Sequence, residues 1–182
     1  MMREVESPLR GPLLIEPQVR SDERGFFVET FSRERYREAG ISVDFVQDNH
    51  SRSRVGTLRG LHYQLSPGQA KLVRAARGRI YDVVIDLRRS SPTYGQHESF
   101  ELDDVHHRQL YIPVGFAHGF CALSAEVDVV YRVSSYYDPA AEVGIAWDDP
   151  DLGISWPVDA PIISERDRHL PRLSDVDPAE LF

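Results

Sequence analysis

Apolar residues in this chain come in short runs, and where a run is long enough to show a period, the period is two. In Tyr81-Asp82-Val83-Val84-Ile85-Asp86-Leu87, alternation puts Tyr81, Val83, Ile85 and Leu87 on one face and Asp82 and Asp86 on the other. Comparable short segments recur near 43–46, 57–64, 72–76, 97–102, 109–112, 119–123, 127–133 and 143–147, divided by clusters of Gly, Pro, Asp or Ser. Leu13-Leu14-Ile15 opens an earlier one, a turn follows at Ser21-Asp22-Glu23-Arg24-Gly25, and Phe26 to Phe31 reads as a further strand. Helical signals are sparse: Ser32 to Ala39 has a candidate N-cap in Ser32 and a stop at Gly40. The tail from Pro157, rich in Pro, Asp and Arg, predicts loops with a turn or two of helix. Many short strands and at most two short helices predict a mainly β protein, an antiparallel sandwich or barrel.

A chain of 182 residues without linker, repeat or low-complexity stretch fits one domain, 1–182. Its formal charge of −8 argues against a nucleic-acid partner, which calls for a basic face, although a few converging arginines could still hold a small anion. Cys121 is the only cysteine, so no intramolecular disulfide can form. Arg3, Glu4 and Glu6 break up the segment Met1 to Gly11, and no apolar run approaches a membrane span. A cytoplasmic protein with no membrane partner is expected.

Two blocks carry candidate chemistry. The first is Gly56-Thr57-Leu58-Arg59-Gly60-Leu61-His62-Tyr63-Gln64, followed by Lys71-Leu72-Val73. Arg59 and His62 are an odd number of residues apart and would face opposite ways in an unbroken strand, but Gly60 permits a bulge, so spacing leaves their facing open. The second block, Tyr111 to Phe120, sets His118 in a turn shaped by Pro113 and Gly115. Together they resemble the paired motifs of the cupin superfamily, whose barrels often bind a metal through two histidines and a glutamate of the first block and a histidine of the second. Here Gln64 stands at the second histidine position, no glutamate follows closely, and Lys71 carries an ammonium that would repel a dication. No metal and no cofactor are expected.

The combination is similar to the dTDP-4-dehydrorhamnose 3,5-epimerase family. The resemblance runs from Leu14 to about Asp167, through Asp22 to Glu29, Phe45 to Ser51, Leu58 to Gln64, Ser91 to Gly95, Ile112 to Phe120, Tyr131 and Tyr136-Tyr137. It implies a cupin-type jelly-roll β-barrel, a homodimer, and a TDP-linked 4-keto-6-deoxy sugar as substrate. Inverting a carbon beside a ketone needs a base, a donor for the enolate oxygen and an acid on the opposite face. The resemblance casts His62 as base, Asp167 as its carboxylate partner, Lys71 as the enolate's cation and Tyr131 as proton donor. It puts Arg59 near the phosphates and has Gln47, Asp48, Asn49, His118, Glu142 and Arg166 line the site. Tyr137 matches the aromatic near the base, and Arg24 and Glu29 match positions supplied by a neighbouring subunit.

Each residue also has a plainer reading. His62 or His118 could be hydrogen-bonded structural histidines, Tyr131 a core residue, Lys71 an exposed one, Arg24 part of its turn, and Asp167 part of the solvated run Glu165-Arg166-Asp167-Arg168. The remaining histidines, His50, His97, His106, His107 and His169, fall in polar surroundings without an assigned role. Three rivals to the double epimerase follow: a mono-epimerase of a deoxysugar pathway, a metal-dependent cupin, and a sugar-nucleotide binder without catalysis.

Overall fold

The computed structural model describes residues 3–182; Met1 and Met2, part of the expected 1–182 domain, lie outside the described residues. In chain order the strands are β1 (Arg3–Glu6), β2 (Leu13–Glu16), β3 (Val19–Asp22), β4 (Gly25–Val28), β5 (Gln47–Arg54), β6 (Leu58–Gln64) and β7 (Lys71–Arg77). They continue with β8 (Arg79–Asp86), β9 (His97–Asp103), β10 (Gln109–Ile112), β11 (Phe116–Ala122), β12 (Glu126–Val133) and β13 (Glu142–Gly144). One sheet runs β1-β2-β10-β7-β12-β5, a second runs β13-β6-β11-β8-β9, and β3 and β4 form a separate hairpin. Pairing within the named strands is antiparallel throughout. This is the mainly β architecture that the strand pattern predicts, in the cupin-type jelly-roll form that the family resemblance implies.

Three apolar layers explain why so many strands show no clean alternation. Between the sheets, Leu14, Val73, Ala75, Leu110 and Val129 meet Ile80, Val84, Leu102, Phe116 and Phe120. Outside the second sheet, Leu61, Tyr63, Val83, Ile85, Leu87 and Ala117 are covered by the C-terminal tail, including Leu152, Trp156, Val176 and Phe182. Outside the first, Ile15, Leu72 and Tyr111 are covered by α1 (Arg33–Glu38) and the residues flanking it, including Tyr36, Ile41 and Phe45. A strand buried on both faces reads as a continuous apolar run. β8 is such a strand, so the face carrying Asp82 and Asp86 is turned to the barrel interior rather than to water, and both carboxylates are buried.

Several expected elements shift. The segment 43–46 is not a strand; the pairing strand is the next one, β5, whose sequence Gln-Asp-Asn-His-Ser-Arg-Ser-Arg has no apolar residue. The strand expected from Phe26 to Phe31 ends at Val28 and pairs back onto β3, which had no apolar signal of its own. His118 lies within β11, not in the preceding turn, because the strand begins at Phe116. The helix forms as expected, but Ser32 makes no side-chain cap bond, and Gly40 takes a φ of 81° beyond its end. The tail holds three 3-10 turns at Asp167–His169, Leu173–Asp175 and Pro178–Glu180. His107 is buried and stacks on Phe26 at 4.3 Å, anchoring the β3–β4 hairpin, in contrast to the polar surroundings expected for it. No helix among the described residues is long and apolar enough to cross a membrane.

Candidate active site

Along two neighbouring strands the interior-facing residues change from apolar to polar: Ala75 and Val73 give way to Lys71 on β7, and Val127 and Val129 to Tyr131 on β12. The polar end of the barrel is a cavity of about 550 Å³, a size suited to a small organic ligand. Beside them β5 contributes Gln47, Asn49 and Ser51, the alternate residues of its inward face. From the facing sheet come Arg59, His62, His118 and Phe120.

The facing of Arg59 and His62, open on spacing alone, is set by a bulge. On β11, His118 pairs with His62 and Phe120 with Arg59, so two steps on one strand match three on the other. The extra residue turns both side chains into the cavity. Gly60 makes this feasible: its φ is 127°, and a Cβ there would lie 2.4 Å from Gly119 Cα and 2.9 Å from the His118 carbonyl oxygen.

The structure brings the four proposed catalytic residues into this one cavity. His62 Nε2 lies 2.8 Å from Asp167 Oδ1, and because a carboxylate can only accept, Nε2 carries a proton, so that in the neutral ring the lone pair is on Nδ1. Asp167 is buried, unlike the solvated run it belongs to. The first 3-10 turn folds it inward, where its other oxygen receives the Gly60 amide at 3.5 Å. Burial alone would raise its carboxyl, but the His62 hydrogen bond and charge, with the Gly60 amide, hold it below the ordinary carboxylate range. Tyr131 is half-buried, and burial, reinforced by the Glu142 carboxylate and opposed by Arg59, raises its phenol, which stays protonated at neutral pH.

Lys71 is buried and donates to the His62 carbonyl oxygen at 3.3 Å. Burial pushes its ammonium down to about 8, against the opposing pull of Glu142 and Asp82. Such a lysine binds fewer protons folded than unfolded between pH 8 and its ordinary 10.5, so its contribution to stability rises with pH across that window. At neutral pH the buried charge therefore costs on the order of 3 kcal/mol, the attraction of Glu142 and Asp82 included. Lys71→Met is expected to unfold at higher denaturant than wild type at pH 7 and to lose that advantage by about pH 10. An equal gain at both pH values would show that the charge is not its origin.

A second histidine–carboxylate pair sits deeper, His118 Nε2 to Asp82 Oδ2 at 2.8 Å. Burial raises the Asp82 carboxyl, partly countered by His118, and its Oδ1 finds no hydrogen-bond partner among the described residues. At the rim, Arg166 bonds Glu142, whose Oε2 also accepts from the Tyr137 hydroxyl at 3.1 Å. Arg59 is exposed there, steadied by the Ser53 hydroxyl at 3.1 Å. The rim is thus cationic around a half-exposed aromatic ring.

Three expected site residues lie elsewhere. Asp48 is on the outward face of β5, since alternation separates it from Gln47 and Asn49, and it pairs with Arg132 at 3.4 Å. Arg24 and Glu29 do not line this chain's cavity: both are exposed, paired with Asp22 and Arg35. Residues not anticipated include Asp82, which reaches the site through its bond to His118, and Ser51, Gln69, Phe120, Ile162 and Ser164, which line the cavity. Gln64 is buried but engaged with the loop after β12. Among the described residues no group of three or more His, Cys, Asp or Glu side chains could hold a metal ion.

With the geometry in view, comparison with known proteins is specific. The family model for dTDP-4-dehydrorhamnose 3,5-epimerase matches residues 6–175. A dTDP-4-dehydrorhamnose 3,5-epimerase of Methanothermobacter thermautotrophicus is 51% identical over 170 residues, 92% of each chain. A dTDP-4-dehydrorhamnose 3-epimerase of Streptomyces niveus is 43% identical, covering 96% of this chain and 85% of the relative. The crystal structure of a dTDP-6-deoxy-D-glucose-3,5-epimerase from Legionella pneumophila in complex with dTDP-4-keto-L-rhamnose superposes with a TM-score of 0.97. It is 43% identical and covers 100% of this chain and 97% of its own.

Proposed function

The chain belongs to the dTDP-4-dehydrorhamnose 3,5-epimerase family, a family of isomerases, and from that premise we propose that it inverts both carbons flanking the ketone of a TDP-linked 4-keto-6-deoxyhexose. The observation that carries this reading is the meeting of the Asp167-paired His62 with Lys71 and Tyr131 in one cavity. His62 Nδ1 takes the proton from the carbon beside the ketone, and Asp167 stabilises the imidazolium that forms. The electron pair moves onto the ketone oxygen, where the Lys71 ammonium compensates the enolate charge. Tyr131 returns a proton to the opposite face. Arg59 and Arg166 face the diphosphate and Tyr137 the base. No step calls on a cofactor.

We place the reaction in the cytoplasm and assign the working unit as a homodimer. The β3–β4 hairpin supports the dimer: it carries Arg24, it leaves Phe26 59% and Phe27 69% exposed, and Glu29 follows it at a distance from its own cavity. In a dimer these residues complete the neighbour's site. Light scattering at assay concentration is expected to give twice the chain mass; a fully active monomer would contradict the assignment.

The test of the function is incubation with TDP-4-keto-6-deoxyglucose in heavy water, followed by NMR. Deuterium at both carbons flanking the ketone is expected. The Streptomyces niveus relative makes mono-epimerisation the second reading, and label at one carbon alone would select it. No exchange at either carbon would defeat the enolate route. Activity is expected to fall on the alkaline side near pH 8, where Lys71 loses its proton.

A further inference from the structure

Gln64 occupies the position at which metal-binding cupins carry a histidine, and its amide is engaged on both sides by the loop that follows β12. The two hydrogens of Nε2 are shared among the carbonyl oxygens of Pro67 at 3.1 Å and Tyr136 at 3.2 Å and the Ser135 hydroxyl at 3.1 Å. Oε1 accepts the Asp138 amide at 3.0 Å. Two carbonyls on one side and an N–H on the other leave the amide a single orientation. From the opposite side, Gln47 Oε1 accepts the Tyr137 amide at 3.1 Å. The peptide joining Tyr136 to Tyr137 is thus held by its oxygen through Gln64 and by its nitrogen through Gln47.

Apolar burial does not fix these aromatics, because Tyr136 is 71% and Tyr137 48% exposed. Neither does a strand ladder, since residues 134–138 are outside any strand. Side-chain amides take over the role of secondary structure here. Gln69 adds a bond to the Ser135 carbonyl at 3.0 Å, and at the loop's base Ser134 and Ala70 exchange two bonds.

We propose that Gln64, acting with Gln47, is a positioning residue that fixes the 134–138 loop so that Tyr137 stands ready at the cavity rim for the nucleotide end of the substrate. The proposal rests on the reading of the cavity as a TDP-sugar site. It assigns Gln64 to ligand binding and leaves the proton transfers to His62 and Tyr131. A neutral amide suits the place: glutamate would set oxygen against two carbonyl oxygens, and methionine fills similar space without donors or acceptor.

Gln64→Met is expected to raise KM for TDP-4-keto-6-deoxyglucose about tenfold, and Kd for TDP alone by a similar factor, with kcat changed less than about threefold. In a Tyr137→Ala background the same substitution should add less than about twofold to KM, because both changes act through one ring. A fall in kcat at unchanged KM, or fully additive KM effects, would overturn the proposal. Amide hydrogen exchange on the unaltered protein decides the matter even if Gln64→Met does not fold: the Tyr137 and Asp138 amides should be protected, and exchange at unstructured-chain rates would refute it. An unaltered protein that fails to turn over the sugar nucleotide yet protects those amides would defeat the functional reading and leave the clamp standing.

Discussion

His62→Ala is expected to lower kcat/KM for epimerisation by about 10²- to 10⁴-fold, the usual worth of a positioned general base. The lining groups that remain are poorly placed to take over: His118, also paired through Nε2, is buried deeper than His62, and the Lys71 ammonium holds its proton at neutral pH. The variant should still fold, since the His62 side chain is only partly buried, but not without cost. Asp167 would remain buried with the distant Gly60 amide as its main donor, and an orphaned buried acceptor costs on the order of 1–3 kcal/mol. A lower unfolding midpoint that recovers in His62→Ala/Asp167→Ala would identify this origin. Retention of more than a tenth of the normal rate in His62→Ala would exclude it as the base. Asp167→Asn supplies the complementary result: it can still accept from Nε2, but it offers no charge to the imidazolium, so a rate loss with unchanged KM is expected.

What the sequence revealed of this site depended on whether hydrophobicity or chemistry had shaped each strand. β8, β10 and β12 were legible because burial gives them a dense apolar signal. β5 was not, because its inward residues Gln47, Asn49 and Ser51 line a polar cavity while its outward ones, Asp48, His50, Arg52 and Arg54, meet water or exposed ion pairs. A strand polar on both faces leaves hydrophobic periodicity nothing to detect. Asp82 was concealed by the opposite error, since a polar position in an alternating strand suggests solvent, whereas here the alternate face is the barrel interior. Asp48 shows what alternation could have added: Gln47 and Asn49 cannot share a face with the residue between them. The resemblance to a family reached Asp167, which local sequence could not distinguish from a surface charge run. Arg24 and Glu29 stand exposed outside this chain's cavity lining, and the site proposed for them is a neighbour's.

Tyr131→Phe should separate two events that normally occur together. The substitution keeps the ring, half-buried on the interior face of β12, and removes only the hydroxyl, so packing and cavity shape are preserved. Proton abstraction needs His62, Asp167 and Lys71, which remain. In heavy water the enolate would then form, and the deuterated imidazolium could return its label to the face it left. Reprotonation on the opposite face lacks its donor and is expected to slow by about 10²-fold or more. The expected result is therefore exchange that outpaces inversion, read by NMR as deuterium in sugar of unchanged configuration. Because burial and Glu142 raise the phenol, it is protonated at neutral pH and has a proton to give, so inversion in the unaltered protein should not titrate through the tyrosine in the neutral range. If Tyr131→Phe inverts as fast as the unaltered protein, the acid is another group; if exchange stops together with inversion, Tyr131 acts in enolate formation and not only in its collapse.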